Sequence, residues 1–186
     1  LYGASVSDMV RRIGDYQATG LFCGFMEDRF ALAGDRVLEP MIDFLGQLLL
    51  RPLLQGDGFC RAYVAGEKRN LISAMEAQLN DKRGYAMEQL LKHMCREDSY
   101  GIPRLGTVEQ VAAITPQSLY AHYQKVLTSS PIELCYVGSA QPETVAALLK
   151  EAFGGLPHNR QPLAPQTPFN SCEGGEYSQQ MEVNQA

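Results

Sequence analysis

Between Gly58 and Asp81 the chain places Leu71, Met75 and Leu79 at i, i+4 and i+8, with Phe59 and Tyr63 entering the same pattern. This spacing predicts one long helix, because residues three and four apart share a helix face. The helix carries two carboxylates without an obvious partner, Glu67 and Glu76. Whether they are active-site acids is the question the rest of the sequence must answer.

Upstream, "SVSDMVRRIGDYQATGLFCGF" alternates apolar and polar residues on either side of Gly14-Asp15, which predicts two antiparallel strands joined by a tight turn. Val37, Leu38, Met41, Ile42, Leu45, Leu48 and Leu49 fall at helical spacing, with Asp35 as the expected N-cap and Arg51-Pro52 as the stop. After the long helix, Lys82-Arg83-Gly84 either bends it or opens a second one through "YAMEQLLKHMC", and "REDSYGIPRLG" is a loop. Thr107 opens a short helix, and Thr115-Pro116 is an N-cap with proline at the first helical position. "IELCYVG" is expected to be a strand and "SAQPETVAALLKEAFGGLP" a capped amphipathic helix, with Gly138-Ser139 the turn between them. Pro157, Pro162, Pro165 and Pro168 crowd the following stretch, which predicts an extended linker over 157–175. Residues 176–186 alternate again, as the first strand of a following domain would. The start at Leu1 and the stop in such a strand suggest a piece of a longer protein.

Composition narrows the function classes. With 45% hydrophobic and 20% charged residues the chain is globular and long enough for a substantial core. The net charge is −5 and the basic residues are scattered, which argues against nucleic acid. No apolar run approaches the roughly 20 residues of a membrane span. Cys23, Cys60, Cys95, Cys135 and Cys172 are odd in number and far apart, so they are expected to be reduced, mostly buried thiols of a cytoplasmic protein.

Four segments, in this order, carry a resemblance: "LYGASVSDMVRRIGDYQ", "PLLQGDGFCRAYVAGEKRNLISAMEAQLNDK", "YGIPRLGTVEQVAAITPQSLYAHYQKVL" and "IELCYVGSAQPETVAALLKEAFGGLP". Together they resemble one half of an insulinase or pitrilysin peptidase, the family that includes the mitochondrial processing peptidases. The chain is most like the bacterial members that lack the active site. The resemblance implies an α+β fold of the LuxS/MPP-like metallohydrolase kind, an antiparallel sheet with helices packed on one face, truncated at its N-terminus. It places a partial peptidase domain at 1–156, ahead of the linker.

Active members hold zinc with the two histidines of an H-x-x-E-H helix, whose glutamate is the general base, and with a glutamate further along. The resemblance aligns Glu67 with the first of two glutamates on the middle helix and Ala74 with the second, the ligand. Seven residues at 100° each amount to about 700°, so the two positions point within about 20° of each other. Alanine cannot coordinate a cation. Glu76, two positions on, points about 200° away from Ala74 and is read as a surface residue. His93, His122 and His158 are the only histidines, and none is spaced to pair on one helix turn. His93, Cys95 and Asp98 are better explained by packing than by a metal cluster, because His93 and Cys95 face apart. Tyr120, Tyr123, Tyr136 and Phe153 are read as packing aromatics.

The sequence therefore assigns no catalytic, cofactor or metal residue in this chain, although active relatives use zinc. The expectation is a non-catalytic insulinase-type domain that forms part of a peptide-binding chamber with an active peptidase homologue, or with a second copy of itself. Two alternatives stand beside it: an active zinc endopeptidase whose H-x-x-E-H lies upstream of Leu1, and a structural interaction subunit. An extended peptide adding itself to an edge of the strands around "SDMVRRIGDYQ" is a route by which binding could survive without hydrolysis.

Overall fold

A computed structural model describes residues 2–14, 16–156, 159–163 and 174–180. The chain opens as an antiparallel hairpin of β1 (Ser5–Ile13) and β2 (Tyr16–Gly24), in register from Ser5 opposite Gly24 to Ile13 opposite Tyr16. Gly14 turns the chain with a φ of 59°, a conformation that glycine adopts without a Cβ penalty; Asp15 lies outside the described residues. The alternation in sequence is only weakly expressed as burial, since Met9 is half-buried while Val6, Val10 and Phe22 stay exposed. Arg12 fastens the hairpin to the rest of the fold. Its guanidinium donates to the carbonyl oxygens of Tyr100 and Ile102 and lies over the Tyr100 ring, 4.6 Å from the centroid.

The first helix, α1 (Leu38–Leu50), ends before Pro52 as expected. Its cap is a correction. Asp35 accepts a hydrogen bond from the Tyr2 hydroxyl instead, and Asp28 Oδ1 accepts from the backbone N–H groups of Val37 and Leu38 at 2.7 and 2.9 Å. A 3-10 turn at Asp28–Phe30 brings that carboxylate to the orphan amides, which any acceptor within reach can satisfy. The two backbone bonds hold the Asp28 carboxyl below its usual pKa, the Leu38 bond most strongly.

The long helix, α2 (Arg61–Gln78), starts later than the spacing predicted. Gly58 and Phe59 form a two-residue strand, β4 (Gly58–Phe59), paired with β3 (Leu54–Gln55). The reason is a close approach: a Cβ at Gly58 would sit 2.8 Å from the Pro116 backbone. Asp81 then caps a separate helix, α3 (Lys82–Met94), by accepting from Gly84 N–H at 3.0 Å, so Lys82-Arg83-Gly84 opens a second helix. The short α4 (Val108–Ala113) and α5 (Pro116–Ser129) each begin with a capping box, Thr107 with Gln110 and Thr115 with Ser118.

Two expectations near the C-terminal end are corrected. Residues 132–138 pair with no strand among the described residues; Val137 is 98% exposed, and β-rich composition makes no strand without a ladder partner. The last helix, α6 (Pro142–Phe153), has Gln141 at its N-cap but no side-chain cap bond, while the Ser139 hydroxyl donates to Glu27 Oε2 at 2.7 Å.

The fold is thus of the expected mixed kind, with six α-helices and small antiparallel sheets among the described residues. Its core forms where α1 meets α6, around Leu38, Ile42, Val145 and Phe153, with Tyr136 against it. Gly46 lets the two helices close: a Cβ there would meet the Ala152 carbonyl oxygen at 3.0 Å. The core is smaller than the composition predicted, with seven hydrophobic side chains buried among the described residues. The described cysteines are free, but Cys23, Cys60 and Cys95 are only half-buried and Cys135 is exposed. Residues 159–163 and 174–180 carry neither helix nor strand. The remaining linker positions, with Pro157, His158, Pro165, Pro168 and Cys172, lie outside the described residues, as does 181–186.

Candidate functional site

The candidate site is the outward shoulder of α2. Val64 is buried, and Lys68, Leu71 and Met75 are half-buried, which fixes the helix's inward stripe. Glu67 and Ala74 fall together about 60–80° to one side of that stripe, and Glu76 points away across the helix. All three are exposed. Glu67 is occupied locally, its Oε2 accepting from Asn70 Nδ2 at 3.4 Å. At Ala74 the shoulder presents only a methyl group.

Zinc needs three or four N, O or S ligands converging within about 2–2.3 Å. The residues here do not fit it: Ala74 offers no donor atom, and Glu67 is the lone carboxylate on this shoulder among the described residues. Among the described residues no group of three His, Cys, Asp or Glu could hold a metal ion. His93 is half-buried with its ring stacked on Tyr177, centroids 3.9 Å apart and planes 15° from parallel. Asp98 accepts from the Tyr100 N–H at 2.7 Å and caps a 3-10 turn, which draws it away from any cluster with Cys95. His122 is exposed on α5.

The aromatics pack, as their spacing predicted. Phe59 meets Tyr120 and Tyr123 edge to face at 5.4 and 5.5 Å. The Tyr123 hydroxyl donates to the Leu49 carbonyl oxygen, joining α5 to α1. Burial, with the neighbouring Tyr120 adding to it, raises the Tyr123 phenol above its usual pKa.

The residue that sequence reasoning missed is Lys68. Its Nζ donates to the carbonyl oxygens of Ala112 and Ile114, both at 2.7 Å, and so ties α2 to the C-terminal end of α4, where a cation also meets the negative end of the helix dipole. A signal existed: Lys68 interrupts the apolar stripe between Val64 and Leu71. Arg12 was equally unmarked, because both its acceptors are backbone carbonyls nearly 90 residues away. Besides this shoulder, a cleft of about 950 Å³ lies between α3 and residues 175–179.

Residues 113–186 match the family described as the peptidase M16 inactive domain. The chain is 29% identical over 153 residues to the "Probable inactive metalloprotease YmfF" of Bacillus subtilis (strain 168), covering 82% of this chain and 36% of that protein. It superposes with a TM-score of 0.78 on the crystal structure of a conserved protein from Enterococcus faecalis V583, at 27% identity, over 85% of this chain and 37% of the other. The chain therefore spans little more than a third of the relatives it matches.

Proposed function

We infer that this chain, a relative of the M16 peptidases with an inactive M16-type domain, is the non-catalytic wall of a peptide-binding chamber whose chemistry belongs to an active peptidase partner. The observation that carries the reading is the α2 shoulder, where an exposed Ala74 occupies the position the resemblance aligns with the metal ligand, beside a locally bonded Glu67. A side chain that cannot bind metal, on a scaffold otherwise retained, suits a role in shape rather than catalysis.

Two further observations support the partner and the peptide. Phe22, Phe30, Leu32, Tyr63 and Ile102 are each more than 60% exposed, apolar side chains that a partner surface would cover. The β1–β2 hairpin is a two-stranded sheet, so each strand has an outer edge unpaired by another strand among the described residues, as strand addition requires. No helix among the described residues is long and apolar enough to cross a membrane. The four free cysteines suit a reducing cytoplasm, and the two relatives point to a bacterial source. The domain arrangement that goes with this reading is a peptidase-type domain over 1–156, a linker over 157–175 and the start of a second domain from 176.

Affinity purification of the tagged full-length protein from its host tests the reading. Recovery of an M16 homologue carrying H-x-x-E-H, with peptide cleavage by the pair and none by this protein alone, is the expected result. Cleavage by this protein alone would favour the active-endopeptidase alternative, and recovery in complexes without any peptidase would favour the structural one.

A further inference from the structure

The face of α3 that carries Lys82, Tyr85, Ala86, Gln89, Leu90 and His93 repeats at i, i+3, i+4, i+7, i+8 and i+11, a single helical stripe. Among the described residues, what faces it is a piece of the chain from far along the sequence. Tyr177 stacks on His93, and the Tyr85 hydroxyl donates to Gln179 Oε1 at 2.9 Å. Tyr177 and Gln179 are two residues apart, the spacing that sends side chains to the same side of an extended strand. Tyr177 meets the C-terminal end of α3 and Gln179 its N-terminal part, so the segment runs antiparallel to the helix.

We propose that this face of α3 is a docking site for an extended, tyrosine-bearing peptide segment, and that the chain's own residues 174–180 occupy it. The two anchors are of different chemistry, a ring stack and an amide–hydroxyl bond, and together they fix both the direction and the register of the segment. Gly174 and Gly175 precede the anchored residues and impose no side chain on the approach. The attachment is made by side chains alone, for all of 174–180 remains exposed and none of it joins a strand ladder. A segment held this way is a displaceable strap. Leu79 and Leu90, 41% and 54% exposed, line the cleft of about 950 Å³ beneath it, which has room for a better-fitting occupant. The inference stands apart from the proposed function, because docking of the strap requires neither a partner nor a foreign peptide.

The chain contains no tryptophan, so Tyr177→Trp places a single reporter at the anchor. Docking predicts that this variant emits to the blue of, and with higher anisotropy than, a free peptide of residues 174–180 carrying the same change. Adding His93→Ala, or separately Leu90→Asp, returns both signals to those of the free peptide while circular dichroism retains the helix content. Emission equal to the free peptide in the single variant, or a docked signal indifferent to both second changes, would overturn the proposal. So would a docked signal that disappears on dilution, since the segment would then be seated on a second copy.

Discussion

Ala74, the position the resemblance aligns with a metal ligand, and Asp28, which caps α1, are the residues whose substitution is most informative. Ala74→Glu puts a carboxylate on the exposed shoulder of α2, but His93 and His122, the described histidines, supply no converging imidazole pair. Purified Ala74→Glu protein is therefore expected to retain no stoichiometric zinc by metal analysis, and its thermal midpoint should not rise with added zinc. Asp28 makes a different prediction. Its pKa is depressed in the folded state by the Leu38 and Val37 amides, so its contribution is fully present above the ordinary value of 3.8 and is lost as pH falls through the lower, folded value. Asp28→Ala should cost about 1 kcal/mol near neutrality, at the modest end for an exposed cap. Thermal scans of both proteins should show that difference shrinking below about pH 4. Glu67 and Ala74 could be placed from sequence because a helix fixes direction by counting. Asp28 could not, since it caps a helix nine residues away through a turn that the sequence pattern did not mark.

At the scale of elements, the two contacts that set helix positions are Gly46 against Ala152 and Lys68 against the end of α4. Gly46→Val would drive branched methyls into the Ala152 backbone, and is expected to destabilise by about 1–3 kcal/mol in denaturant titrations, as overpacking does. Lys68→Met keeps the stem and removes both bonds to Ala112 and Ile114, leaving two carbonyls with water as the only replacement partner. A loss of about 1–2 kcal/mol is expected, and faster amide exchange confined to α4 would identify the cause. The helices were legible because their signals are local: Thr107, Thr115-Pro116 and Pro52 each act within a turn. The failures were non-local. Gly58 and Phe59 leave the helical pattern because Pro116 approaches them, and residues 132–138 need a strand partner that their own composition cannot supply.

For the whole molecule, the resemblance read from four ordered segments is borne out by the M16 inactive-domain match and by a structural neighbour at a TM-score of 0.78. What composition overstated was the core. A 45% hydrophobic chain buries seven hydrophobic side chains among the described residues and leaves Phe22, Leu32 and Val137 largely in solvent. Pattern reports how many apolar residues a chain has, whereas burial depends on what they meet. The chain spans little more than a third of its relatives. The central claim is that the metal site is lost rather than merely incomplete in this chain. Zinc content of the full-length parent protein, purified without chelator and measured by elemental analysis, tests it most directly. Far less than one equivalent per chain, unchanged after incubation with zinc and dialysis, is the predicted result; a stable equivalent of one zinc per chain would contradict it.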